Sequence, residues 1–561
     1  MDQLNSLFQD PPADVSPGLS GSVAPARPLT RRQWAVVLVL WFACFVPRAG
    51  MTFAWPFLWS DSVTYLRATE ALEKGDFDAA FETLGLNVFP AILLILRATG
   101  IDWTVGGAWW STWIASLVVL PLFGLVRRQF NDQIAVVACL LYAIHPTLVG
   151  FSPLIIRDST FWFLFTLTLY FQWRALTEIR WRLFLLAGIS LTLAAYTRTE
   201  GWLLIVPLAL WFLGRLPAAA SVRSRLVLGT CATLVVVPLL VILVNITLLR
   251  NHSRWEWGYN QCIAHALRLV SCPTAPPSGN PIPEKDSQRI AAAVQRGPSD
   301  SANSRWAAAA ELVGKLGSRV AKSFTYTYGL LLLIGLWKGW RVFLRRDQQA
   351  LFAMNLLLLA AITLRNSLDG IDIRYFLPIV IVGAPYMALG LIRVVAWCAM
   401  LAQRCFHVSS GNRLGFAGGL LLLLILTGWV NTIPRSYPFM REEAELGRWI
   451  VNHVGPNRRV AISYNWLSLI EYYAQAKIVL PEGLKEYSAD SLLSLMQRSA
   501  VDRPDVVLLR QHGNGWLNYR PILQRQEELG YRCVPQDELP GSCRQTLVLV
   551  RRDVPEQCRQ H

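Results

Sequence analysis

The sequence predicts a mainly α-helical, polytopic transmembrane bundle of about eleven spans, with amphipathic juxtamembrane helices in the first external loop and a small C-terminal α/β extracytoplasmic domain. Three observations carry this expectation. The 561 residues are 53% hydrophobic and only 16% charged, where soluble domains carry about 25% charge, and the mean hydropathy is +0.35. The apolar residues fall in long blocks rather than amphipathic stripes, the pattern of helices surrounded by lipid. Basic residues gather in alternate connections between the blocks, as an oriented membrane protein requires.

Residues 1–30 are rich in Pro, Ser, Gly and Ala and lack apolar periodicity, so they read as a disordered cytoplasmic tail. Arg27, Arg31 and Arg32 precede the apolar run Trp34–Pro47. A long n-region without an A-x-A-like site marks that run as an uncleaved first span, N-terminus in the cytoplasm. Further blocks lie near 106–126, 133–151, 159–175, 183–197, 202–214, 225–249, 325–343, 349–364, 375–397 and 414–432. The pair at 183–197 and 202–214 is short for full spans and reads as two tilted helices or one re-entrant pair. Arg127/Arg128, Arg174/Arg180/Arg182, Arg215/Arg223/Arg225, Arg341/Arg345/Arg346 and Arg393/Arg404/Arg413 then all fall on the N-terminal side. The expected organisation is a membrane domain over 31–433 with external loops near 56–105 and 250–323, then an extracytoplasmic domain over 434–561. In that domain helical patterns (Glu442–Val454, Ala489–Ser499, Leu517–Leu529) alternate with short apolar strands (Val460–Ser463, Ile478–Leu480, Val506–Leu509, Thr546–Val550). The 23 Trp and 16 Tyr suit helices that end among headgroups, and the plasma (inner) membrane is the expected location.

The net charge of +16 does not argue for nucleic acid, because the arginines cap apolar blocks instead of lining one face. Cys262, Cys272, Cys533, Cys543 and Cys558 are expected outside, where an oxidising compartment permits disulfides; Cys139, Cys231 and Cys398 read as small apolar residues within spans. No C-x-x-C pair or H-E-x-x-H occurs, so a structural zinc has no support. Asp76 and Asp78 form a D-x-D, a pattern able to hold a divalent metal, but here acids on a solvated amphipathic helix explain it. His145, before Pro146, reads as a structural residue.

Charges at membrane depth are a different matter, because an unpaired one costs about 2.5–3.5 kcal/mol. Asp61 follows the first span; Arg157 and Asp158 sit in a short turn; Arg198 and Glu200 interrupt LAAYTRTEGWLLIVP; Arg374 opens the block DIRYFLPIV. Any one of these serves equally well as a helix-end anchor or half of a salt bridge. Together they form a mixed-sign set on the expected outer surface, which marks a functional site. Sugar transfer from a lipid phosphate needs such a set. Asp61 is the candidate base for the acceptor hydroxyl, and Arg157, Arg198 and Arg374 are candidates to hold the donor phosphate.

These residues resemble those of the GT-C superfamily of integral-membrane glycosyltransferases, nearest the branch of protein O-mannosyltransferases and lipid A aminoarabinose transferases. The resemblance rests on Arg48 closing the first span, Asp61 and Tyr65 in SDSVTYLRATEAL, Gly75-Asp76, the Pro90-led helix, and Arg127-Arg128-Gln129-Phe130. It continues through His145-Pro146 with Asp158 downstream, Arg198-Thr199-Glu200-Gly201, and Arg374-Tyr375-Phe376-Leu377-Pro378. Thr199 stands where Pro is usual, and Ser62 where the mannosyltransferase branch has a second acid. The resemblance implies Asp61 as the catalytic acid/base and external arginines on the carrier phosphate, with Tyr65, Asp158, Glu200 and Tyr375 in support. It implies a polyprenyl-phosphate sugar as donor, no certain cofactor, and a protein, lipid or polysaccharide as acceptor. A secondary transporter or lipid flippase is the rival reading, but no internal repeat appears; a non-catalytic membrane scaffold is the third.

Overall fold

The computed structural model describes residues 29–54, 58–84, 87–216, 220–248, 301–365, 372–406, 437–462, 467–479, 489–499, 503–510, 519–541 and 546–554, with 415, 418, 419, 422, 423 and 543. The N-terminal tail to residue 28, most of the block at 414–432, the greater part of the loop at 250–323, and Cys262, Cys272 and Cys558 lie outside these. The chain divides into two compact units, one drawn from 1–55, 68–279 and 294–433, the other from 56–67, 280–293 and 434–561.

In the first unit the helices are α1 (Arg31–Ala54), α2 (Ser60–Glu73, whose start belongs to the second unit), α3 (Phe77–Leu84), α4 (Val88–Ala98), α5 (Trp103–Leu117), α6 (Val119–Gln129), α7 (Asp132–Ile144) and α8 (Pro146–Phe151). After them come α9 (Asp158–Glu178), α10 (Trp181–Thr197), α11 (Ile205–Arg215), α12 (Ala220–Leu248), α13 (Ser301–Lys338), α14 (Trp340–Phe343), α15 (Arg346–Arg365) and α16 (Leu377–Phe406). Outside 414–432 each apolar block is mainly helical over its described residues. Among the described residues, four helical stretches are long and apolar enough to cross a membrane: Arg31–Ala54, Trp103–Gln129, Gly314–Lys338 and Ile373–Leu401.

The expected span at 133–151 is instead two helices. Pro146 disfavours helical backbone at His145, which lies at φ −63°, ψ 118°, and Pro146 opens α8. The break leaves the last carbonyls of α7 without helical partners, a cost that lipid cannot relieve. Side chains meet it. Arg48, fully buried in α1, donates to the carbonyls of Tyr142 (3.2 Å) and Ala143 (2.9 Å) and to Ser152 Oγ (3.0 Å), and its guanidinium lies 4.9 Å from the Tyr142 ring centre. Tyr328 of α13 donates to the Ile144 carbonyl at 3.3 Å and packs its ring 4.6 Å from that of His145.

α13 and α16 pack through glycines. A Cβ on Gly335 would fall on the Tyr386 carbonyl, and one on Gly390 on the Leu331 carbonyl; small residues let membrane helices approach this closely. Both obstructing atoms are backbone, so no rotamer change relieves them. Gly390→Ala is expected to destabilise the protein by about 1–3 kcal/mol, read as a lower thermal unfolding midpoint in detergent, and an unchanged midpoint would show that the helices separate freely.

The second unit is a mixed sheet in the order β2-β1-β3-β5-β4 with helices around it. Its elements are α17 (Tyr437–His453), β1 (Arg459–Ile462), α18 (Leu467–Tyr473), β2 (Lys477–Ile478), α19 (Ala489–Met496), β3 (Val506–Arg510), α20 (Arg520–Arg525), β4 (Tyr531–Cys533) and β5 (Thr546–Arg551). β1 runs parallel to β2 and β3, while β5 is antiparallel to β3 and β4. Val506, Val507, Leu508 and Leu509 of the central β3 are all fully buried, as a strand covered on both faces must be. Of the external cysteines expected to permit disulfides, Cys533 and Cys543 are not joined to each other.

Glu442 and Glu443 of α17 are both buried in this unit. Glu442 accepts from Thr546 Oγ1 (2.6 Å) and Arg510 Nη2 (3.1 Å), whereas neither carboxyl oxygen of Glu443 has a hydrogen-bond partner among the described residues. Burial pushes the Glu443 carboxyl up to about 9, with Arg510 opposing and Glu442 adding to the rise. The folded domain therefore keeps the proton that the unfolded chain releases near 4.5. Its stability should fall as pH rises between those values. Glu443→Gln should flatten that slope, measured by hydrogen exchange of β1, β3 and β5 corrected for intrinsic rates; an equal slope in both proteins would count against a buried neutral acid.

Candidate functional site

The first unit gathers most of the charges singled out in the sequence. α10 ends at Thr197, and the chain turns back through extended Arg198 (φ −148°, ψ 137°) into a 3-10 turn over Thr199–Leu204. Gly201 permits the return: a Cβ there would lie 2.6 Å from the Ala194 carbonyl carbon and the Ala195 nitrogen, both main-chain atoms. The turn leaves Arg198 4% exposed beside Asp158, which is 1% exposed in the first turn of α9.

Arg198 Nη1 donates to Asp158 Oδ1, while Nε and Nη2 form a fork on Glu200 at 3.3 and 3.1 Å. Its guanidinium also lies 4.7 Å from the Tyr375 ring centre and 5.7 Å from that of Phe161. Tyr375 belongs to a second 3-10 turn, Ile373–Phe376, which leads into α16 as the first turn leads into α11. Arg374 packs 5.4 Å from the same ring centre and pairs with Asp372 at 3.3 Å. Asp372 also caps its turn by accepting from the Arg374 amide.

The structure thus brings Asp158, Arg198, Glu200, Arg374 and Tyr375 into one cluster. Arg157 precedes Asp158 as the N-cap residue of α9, half-buried, and forms no ion pair among the described residues. Sequence reasoning missed three participants. Asp372 carries a legible signal, an acid two residues before Arg374. Phe161 carries none. Asn87 donates to the Thr197 carbonyl at 3.2 Å while capping α4 by accepting from the Phe89 amide at 2.9 Å; only its position before a Pro-led helix hints at the cap.

Asp61 and Tyr65 belong to the second unit. Asp61 is half-buried in the first turn of α2 and Tyr65 is buried one turn on. Residues 58–67 are tied to α18 there: Leu58 donates its amide to Tyr473 Oη at 3.2 Å, and Arg67 pairs with Glu471 at 2.7 Å. Ser62, which takes the place of a second acid, is fully buried and bonded to the Trp59 amide at 3.2 Å. A carboxylate would be poorly accommodated at that depth. Asp76 serves as the cap of α3, accepting from the Ala79 amide at 3.0 Å. Among the described residues, no three His, Cys, Asp or Glu side chains are grouped to hold a metal.

Residues 100–244 match the family model of dolichyl-phosphate-mannose-protein mannosyltransferases. No curated protein sequence matches the chain. The fold is similar to that of ArnT from Cupriavidus metallidurans bound to undecaprenyl phosphate, at 14% identity and a TM-score of 0.54, over 93% of this chain and 98% of that one. It is also similar to the oligosaccharyltransferase of Archaeoglobus fulgidus tethered to an acceptor peptide, at 14% identity and a TM-score of 0.51, over 86% of this chain and 69% of that one. Both are GT-C glycosyltransferases. The chain has the GT-C fold that its motifs led us to expect.

Proposed function

We propose that the protein transfers a sugar from a polyprenyl-phosphate carrier to a hydroxyl acceptor at the extracytoplasmic face of the plasma membrane. The acceptor oxygen attacks the anomeric carbon from the side opposite the phosphate. The new C–O bond forms as the sugar–phosphate bond breaks, the phosphate leaves with the electron pair, and configuration inverts. Asp61 takes the acceptor proton. Arg157, Arg198 and Arg374 carry the charge that grows on the leaving phosphate, with Tyr65, Asp158, Glu200 and Tyr375 in support.

One observation carries this reading: two buried guanidinium groups, 176 residues apart by their numbers, converge on the ring of Tyr375 at the turns that lead into α11 and α16. Buried arginines so placed suit a lipid-borne anion. Three of the five donors of Arg198 are engaged by carboxylates, so it is the most firmly fixed of the set. The named ligand of the ArnT structure and the named donor of the matching family, both polyprenyl phosphates, support the lipid donor.

The test is to incubate purified protein with radiolabelled polyprenyl-phosphate sugars and a membrane extract, and to identify what becomes labelled. A labelled protein, lipid or polysaccharide supports transfer and names the acceptor. Flux of the sugar lipid across sealed vesicles with no glycosylated product would assign the chain to transport instead.

A further inference from the structure

At the far end of α9 lies a cavity that the proposed reaction does not use. The helix runs 21 residues from Asp158 to Glu178, about 30 Å at 1.5 Å per residue. The Asp158–Arg198 pair marks one end. At the other, α1, α6 and α9 enclose a crevice of about 570 Å³.

Its walls are apolar: Val37 from α1, Leu120 and Phe123 from α6, Phe163 and Leu167 from α9. Its rim is basic. Glu178, 8% exposed, pairs with Arg174 at 2.7 Å, Arg128 at 3.6 Å and Arg180 at 3.8 Å. Arg127 pairs with Asp132 at 2.6 Å. Tyr170 accepts from Arg174 at 3.3 Å and Arg128 at 3.5 Å, and both guanidinium groups lie over its ring. Four arginines therefore meet two carboxylates, and among the described residues two positive charges are left in excess. Trp34, half exposed, lines the crevice, and Trp181 is exposed beside it in sequence, as tryptophans at headgroup depth are.

From this geometry we infer a binding site for an anionic phospholipid, with an acyl chain between Leu120, Phe123, Phe163 and Leu167 and the phosphate among Arg128, Arg174 and Arg180. An apolar slot that opens on surplus arginines at one membrane boundary has the two chemistries of a phospholipid in the right order, and basic pockets between membrane helices are known to take phosphate headgroups. A soluble anion would match the rim but leave the slot unexplained. The inference is independent of the proposed reaction.

The test uses the full chain in phosphatidylcholine nanodiscs carrying trace spin-labelled phosphatidylglycerol or phosphatidylcholine. The immobilised fraction should favour phosphatidylglycerol by about five-fold for each uncompensated arginine. Arg180→Glu removes an exposed charge (68% exposed) that the fold does not need, and should abolish most of that preference. Leu167→Trp should fill the slot and lower immobilisation of phosphatidylglycerol while leaving the charges in place. Equal retention of the two lipids by the parent protein, or a preference that survives both variants, overturns the site. Displacement of the lipid by an equal concentration of inorganic phosphate would also overturn it, by assigning the rim to a soluble anion.

Discussion

Asp61→Asn is expected to remove sugar transfer almost entirely, by about 10²–10⁴-fold in kcat. The change keeps the shape of the side chain and deletes its ability to accept a proton. Asp61 sits half-buried in the first turn of α2, where an asparagine gives up only the helix-dipole contribution of the charge, about 0.3–1 kcal/mol. Expression and thermal stability should therefore nearly match the parent protein. Carrier binding, measured by equilibrium retention of a labelled polyprenyl-phosphate sugar, should also be unchanged, because the phosphate is held by other residues. Loss of kcat with binding intact identifies the base. Transfer at the parent rate would remove Asp61 from the mechanism and leave the arginine cluster to be explained another way.

Arg198→Met has the largest effect expected on stability. It strips the shared partner from Asp158 and Glu200, whose side chains are 2% and 9% exposed. Breaking a buried ion pair from one side costs about 3–5 kcal/mol, since the remaining charge is left in a medium that cannot solvate it. The protein should extract poorly and unfold at a markedly lower temperature in detergent. Adding Asp158→Asn to Arg198→Met should recover part of the loss, because the second change removes one of the stranded charges. Independent, additive losses would mean that the pair is not coupled.

The helices of the membrane unit were legible because hydropathy marks them directly: residues 34–47, 159–175, 183–197 and 349–364 all lie inside observed helices. Their breaks were less so. The block at 133–151 is apolar throughout, and only Pro146 betrays the gap between α7 and α8. In the second unit, β1, β3 and β5 announce themselves by apolar runs, whereas β2, Lys477–Ile478, shares only Ile478 with the run expected at Ile478–Leu480, and β4 is three residues with two exposed and leaves no run to find. α18, Leu467–Tyr473, hides in the same way, because seven residues are too few for a helical period to stand out.

At the site, unpaired charge inside apolar sequence pointed to Asp158, Arg198, Glu200 and Arg374, and the fold joins all four around Tyr375. That signal is strong because lipid penalises charge so heavily. The pairing itself was only half visible. Arg198 and Glu200 are neighbours in sequence, Arg374 pairs with Asp372 just before it, and the aromatic contacts of Phe161 depend on helix rotation that no composition reveals. The grouping of residues 56–67 with the C-terminal unit was invisible, since it rests on Tyr473 and Glu471, some 400 positions away.

The arginine that closes the break after α7 sets a schedule for the protein's birth. Arg48 finds its carbonyl partner at Ala143, 95 residues later in the chain. At translation rates of about 5–20 residues per second, the first helix waits about 5–20 s before that partner exists. Through that interval a guanidinium destined for a dry interior must stay near water or in the care of the insertion machinery. α1 cannot settle into its final depth until α7 has been made, and its integration is an act of assembly rather than a single entry.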